Sequence, residues 1–116
     1  MKKNYNFQKD EKIIVSEKNK LHQITVAEIE TIYSESGIST INKSDKNKLV
    51  FAKNLLFFEK ELKDFGFVKA NRNEIVNCAY ILNINLKTKQ VELCNNNIIN
   101  ISRRNLNSFK NIFQNN

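Results

Sequence analysis

Phe67-Val68-Lys69-Ala70-Asn71-Arg72-Asn73-Glu74-Ile75-Val76-Asn77 is the stretch from which the rest of this chain can be read. An apolar pair, Phe67 and Val68, leads into a polar and cationic run from Lys69 to Asn73, and a second apolar pair, Ile75 and Val76, closes it. That order predicts a short segment pinned to a core at both ends and presenting Lys69, Asn71, Arg72 and Asn73 between the anchors. Guanidinium and carboxamide groups make paired hydrogen bonds to base edges and phosphates, so these side chains suit a nucleic-acid surface. A second basic site follows at Ser102-Arg103-Arg104-Asn105.

Upstream of this stretch, Asn54 to Gly66 has the spacing of an amphipathic helix. Leu55, Phe58, Leu62 and Phe65 recur on one face, with Asn54 as N-cap and Gly66 as the left-handed C-terminal residue. The opposite face carries Glu59, Lys60, Lys63 and Asp64, a mixture of signs unsuited to a recognition helix. Before it, Ile13-Ile14-Val15 and Leu21 to Val26 flank a polar turn and read as a hairpin. Ala27 to Ile32 reads as a brief helical turn with Ile29 and Ile32 inward. Ser34 to Lys48 reads as a long strand-loop-strand excursion, and Leu49 to Ala52 as a returning strand.

Downstream, Tyr80, Leu82, Ile84 and Leu86 alternate with more polar positions as in a strand. Val91 to Cys94 and Ile98 to Ile101 add two more strands around the Asn95-Asn96-Asn97 turn, making an antiparallel meander. Ser102 then caps a helix with Leu106, Phe109, Ile112 and Phe113 on one face. Arg103 and Arg104 in its first turn oppose the helix dipole, a defect that a bound phosphate would relieve. Residues 1–11 lack periodicity and read as a flexible basic arm or linker, leaving 12–116 as the domain.

Composition narrows the class. A chain of 116 residues with 41% hydrophobic and 27% charged residues fits one globular domain. No apolar run approaches the ~18 residues of a membrane span, and no apolar stretch follows Met1-Lys2-Lys3 as in a secretion signal, so a cytoplasmic location is expected. The net charge of +7 divides into +3 over residues 1–20, −1 over 21–66 and +5 over 67–116, and all three arginines fall in the last part. Lysine abundance and most of the twenty asparagines read as compositional bias, whereas the arginines mark a place. Cys78 and Cys94, with His22 as the sole histidine, fall short of a zinc ligand set and read as buried thiols, a redox pair being the alternative. His22 reads as a surface strand residue. No catalytic residues, metal or cofactor are expected, since no nucleophile with a base and no paired carboxylates can be identified.

These motifs together resemble the LytTR DNA-binding domains of bacterial response regulators, over about residues 12 to 113. The central stretch is similar to the family's aromatic-x-basic-x-His-Arg-Ser-x-Ile-Val-Asn motif, matched directly at Arg72, Ile75, Val76 and Asn77. Asn71 and Asn73 stand where the family has histidine and serine and would offer amide hydrogen bonds instead. Glu59-Lys60-Glu61-Leu62 resembles the preceding helix end, and Ile101-Ser102-Arg103-Arg104 the family's Ile-Ser-Arg-Arg pattern, in which the second arginine, here Arg104, contacts DNA.

The resemblance implies a mostly β fold with short α-helices, an elongated arrangement of small antiparallel sheets. It further implies DNA met in successive major grooves by loops, with Lys69, Asn71, Arg72, Asn73, Arg103 and Arg104 as contacts. A third contact region is expected in the loop around Gly37 to Lys43, with Ser39, Thr40 and Lys43 as candidates. Two copies on a paired-repeat site are implied as well. The family usually carries an N-terminal phospho-receiver domain, so this chain is expected to be a stand-alone member or a fragment, with an upstream signalling protein as a further partner.

The expected function is therefore that of a sequence-specific double-stranded DNA-binding transcriptional regulator. One alternative is an RNA or single-stranded nucleic-acid binder, disfavoured because Phe58, Phe65, Phe67, Phe109 and Phe113 fall at core-like positions and leave few rings to stack on bases. Another is a protein-interaction module that has lost DNA binding.

Overall fold

The computed structural model describes residues 11–114, so the arm read at 1–11 lies outside the described residues except for Glu11, as do the last two residues of the 12–116 domain. Strands β1 (Lys12–Glu17) and β2 (Lys20–Thr25) form a hairpin. Its two turn residues, Lys18 and Asn19, both have positive φ, as a two-residue turn matched to strand twist requires. Ile13, Val15 and Ile24 alternate inward. The helical turn expected over Ala27 to Ile32 is confined to Val26–Glu28, and β3 (Ile29–Glu35) begins at once. Ile29 and Ile32 are both buried although three residues apart, because a bulge between Ile29 and Thr31 breaks the period-two alternation.

The long excursion expected at Ser34 to Lys48 is instead regular sheet. After Ser36 and Gly37, both at positive φ, the chain reverses into β4 (Ile38–Lys43), and a second turn leads to β5 (Lys48–Phe51). The polar composition that reads as a loop belongs to a strand with one face open to solvent. Thr40 and Asn42 lie on that face and Ile41 points to the core.

Helix α1 (Leu55–Leu62) starts where its sequence predicts, with the Asn54 side chain accepting from the Phe57 N–H at 3.0 Å. It ends a turn earlier than expected, because the Phe65 N–H bonds back to Leu62 at 3.0 Å and Gly66, at φ 78°, turns the chain into β6. Strands β6 (Phe67–Asn71) and β7 (Glu74–Asn77) form a hairpin, and β7 pairs with β3. The result is an antiparallel five-stranded sheet in the order β5-β4-β3-β7-β6.

A second sheet, β10-β9-β8, comes from β8 (Ile81–Asn85), β9 (Gln90–Leu93) and β10 (Ile98–Asn100). The even alternation expected from Tyr80 to Leu86 is interrupted by a bulge between Ile81 and Asn83. Ile81 and Ile84 therefore pack against the core, while Leu82 and Leu86 are exposed. Cys94 departs from expectation too: Cys78 is a buried thiol, whereas Cys94 is exposed in the turn after β9. His22 is half-buried in β2 and meets the Phe51 ring edge-on at 5.2 Å. Helix α2 (Arg103–Gln114) closes the chain.

The hairpin of β6 and β7 is a wall between two cores. Ile75 faces the first core, with Ile32, Ile41, Phe58 and Leu62. Val68, Ala70 and Val76 face the second, with Val91, Leu93 and Phe109. The described residues span 44 × 31 × 24 Å, and no helix among them is long and apolar enough to cross a membrane. This is the mostly β, elongated arrangement of small antiparallel sheets that the family resemblance implies.

At the foot of the wall, buried Asn77 donates to the Ile29 carbonyl at 2.8 Å and accepts from the Ala79 N–H at 3.0 Å, joining β7, β3 and the turn that follows. Replacing it leaves the buried Ile29 carbonyl unpaired and uncaps the Ala79 N–H, at about 1–3 kcal/mol. Asn77→Ala should lower the urea midpoint correspondingly with an unchanged m-value.

Candidate nucleic-acid interface

Two backbone-anchored contacts bring the two basic segments together. The Ser102 N–H donates to the Ala70 carbonyl at 2.9 Å, and the Asn71 amide donates to the Asn100 carbonyl at 2.8 Å. The start of α2 is thereby fixed beside the end of β6, with buried Phe109 holding the helix down on the second core. Lys69, Arg72, Arg103 and Arg104 consequently line one open groove with Asn71, Ser102 and Asn105. The three arginines are exposed, and among the described residues no carboxylate forms an ion pair with any of them. Lys69 differs, since its ammonium lies 3.7 Å from Glu59 of α1.

The two carboxamides expected to reach DNA are committed to the fold. Asn71 Oδ1 accepts from the Asn73 N–H at 2.9 Å, closing the turn between β6 and β7. Asn73 donates its amide to the Ser34 carbonyl at 2.9 Å, and its own carbonyl accepts from the Ser34 N–H at 2.8 Å. Their amides hold Arg72 at the tip of a rigid turn and lock that turn to the end of β3. As a result the turn at Ser36 and Gly37 lies at the same end of the sheet as Arg72.

The expected third region at Gly37 to Lys43 is strand β4 after its first residue, which alters its candidates. Ser39 is fully buried; its hydroxyl is hydrogen-bonded to Ser34 Oγ and donates to the Lys53 carbonyl at 2.6 Å. Thr40 is half-buried mid-strand on the open face, paired across from Tyr33 and Val50. Lys43 is at the far end of β4, with its ammonium 3.4 Å from Glu28 and 3.8 Å from Asp45. The structure does not bring these three to the arginine groove.

Lys87 and Lys89 escape the sequence reading. The Ile101 N–H donates to the Lys89 carbonyl at 2.8 Å, so the turn between β8 and β9 stands next to the start of α2. Its charge is visible in sequence, but its position depends on how the meander folds back. The start of α2 is itself capped from within: Ser102 Oγ donates to Asn105 Oδ1 at 2.5 Å, and the Asn105 N–H bonds the Ser102 carbonyl at 3.0 Å.

Glu74, cross-strand from Tyr33, is an acid at the edge of this site whose protonation is shifted. Burial pushes its carboxyl above the ordinary range, against a smaller downward pull from the Asn71 amide at 3.5 Å. Of the aromatic rings, Phe51, Phe58 and Phe109 are buried, and Phe57, Phe65 and Phe67 pack against the first core, so none of these six offers a face for base stacking. Among the described residues no three His, Cys, Asp or Glu side chains gather as metal ligands would.

Known proteins share this fold. The sequence pattern of the LytTr DNA-binding domain matches residues 19–114. In three dimensions the chain is similar to the LytTr DNA-binding domain of a Bacillus cereus protein described as a methyl-accepting/DNA response regulator. The TM-score is 0.70 at 14% identity, over 87% of this chain and 94% of that one. No curated protein matches in sequence.

The raised pKa of Glu74 has a definite sign. Folding favours its protonated form, so this contribution to stability is full below the ordinary value of 4.5 and is lost as pH rises through the higher folded value. Wild-type stability should therefore fall more between pH 4.5 and pH 7 than that of Glu74→Gln, compared by urea unfolding at the two pH values.

Proposed function

The chain belongs to the LytTr DNA-binding domain family, and on that premise we propose that it is a sequence-specific transcriptional regulator of double-stranded DNA. In this reading the turns at Ser36-Gly37 and Arg72-Asn73 and the start of α2 enter the major groove. The observation that carries it is the convergence of Arg72, Arg103 and Arg104, free of carboxylate partners among the described residues, on one groove. Arginine pairs bidentately with guanine O6 and N7, and a rigid turn tip delivers it in one orientation. Arg72 and Arg104 are the base readers, and Arg103 is a phosphate contact at the start of α2. Lys69, Lys87 and Lys89 add phosphate contacts. Asn71 and Asn73 act by holding the Arg72 turn in shape. The output role of a response regulator, acting downstream of a signalling protein, is consistent with the description of the Bacillus cereus protein.

Fluorescence anisotropy with duplexes of selected and random sequence tests this reading. Affinity for duplex should fall steeply with salt, as released counterions require, and exceed that for single strands. Arg72→Ala and Arg104→Ala should each weaken the selected site by about 1–3 kcal/mol more than random duplex. Arg103→Ala should weaken both alike. Equal losses on both duplexes for Arg104→Ala would reassign it to a phosphate.

A single domain of this size covers few base pairs, and we propose two copies on each natural site, arranged on a paired repeat. Titration under stoichiometric conditions should reach two chains per duplex; saturation at one chain would exclude the arrangement.

A further inference from the structure

A carboxylate at a DNA-facing end is repelled by phosphates unless it meets a hydrogen-bond donor there, and Glu35 lies at the end of the sheet that carries the Arg72 turn. It is the last residue of β3, just before the Ser36-Gly37 turn. The register that sets Tyr33 opposite Glu74 is continued by the Ser34 N–H bond to the Asn73 carbonyl, which runs the end of β3 alongside the Arg72 turn. Glu35 is exposed, and the Tyr33 hydroxyl donates to its Oε1 at 3.2 Å, fixing the carboxylate on the strand's open face. That hydrogen bond and the charge of Glu35 raise the Tyr33 pKa, so the phenol keeps its proton and remains the donor at neutral pH. Among the described residues Glu35 forms no ion pair, with Arg72 or any other cation.

Resting on the duplex-reading proposal above, we infer that Glu35 is a specificity-determining residue that reads a cytosine next to the guanine taken by Arg72. In the major groove the bases offer amino donors at cytosine N4 and adenine N6. Adenine sets the N7 lone pair beside its donor, where it repels a carboxylate, and thymine and guanine present acceptors. Cytosine presents the N4 donor without a neighbouring acceptor on the same base. Tyr33 acts as a positioning residue, holding one carboxylate oxygen and leaving the other for the base.

Site selection from a random duplex library, carried out with wild type and Glu35→Ala, followed by anisotropy on matched duplexes, tests the assignment. Wild type should select a cytosine at one fixed position, and changing that C·G pair to T·A should weaken binding on the order of tenfold. In Glu35→Ala the preference should vanish at that position alone, the same base change should cost less than roughly twofold, and affinity for random duplex should not fall. Tyr33→Phe, which keeps the carboxylate but removes its tether, should lose part of the discrimination. A cytosine preference that survives in Glu35→Ala overturns this inference alone, as does an equal loss of affinity on every duplex. A wild type that recovers no motif overturns the duplex-reading proposal and this inference with it.

Discussion

The structure depends on one hairpin that packs against a core on each of its two faces. Strands β6 and β7 send Ile75 into one core and Val68, Ala70 and Val76 into the other. A strand buried on both sides cannot slip, because a shift of one residue would exchange the two sets of side chains and unpack both cores together. The parts of residues 67–77 left outside are the Lys69 side chain and the turn at Arg72 and Asn73. Packing therefore sets where that turn emerges, and the Asn71 and Asn73 amides fix its shape.

The parts of the fold legible in sequence are those where local pattern and tertiary environment agree. Asn54 caps a helix whose apolar spacing matches its buried face, and the alternation in β1 and β2 matches a single core. The reading fails where environment overrides pattern. Strand β4 reads as loop because Ser39, Thr40 and Asn42 are polar, yet the first is buried in hydrogen bonds and the others lie on an open sheet face. Bulges in β3 and β8 move side chains off the period-two rule, which no count of apolar spacing anticipates. At the site, the arginines stand out because there are only three, all in the last fifty residues. The roles of Asn71 and Asn73 are invisible in sequence, because a carboxamide that closes a turn and one that reads a base are the same side chain.

Asparagine abundance has a physical use that compositional bias hides. Asn54, Asn71, Asn77, Asn85 and Asn95 each accept a backbone N–H two or three residues further along the chain. Asn19 and Asn96 adopt positive φ, the conformation that asparagine tolerates better than most residues. In a chain with two glycines and no proline, asparagine takes over much of the work of reversing direction between the ten strands of the described residues.

The shared wall also ties the two halves of the molecule into one cooperative unit. Opening either half would strip one face of the same hairpin, which adds to the cost of partial unfolding. The Arg72 turn, at the tip of that hairpin, is held by its own hydrogen bonds. A ligand meeting it has no loop to order on arrival, so little of the binding free energy is spent on conformational entropy.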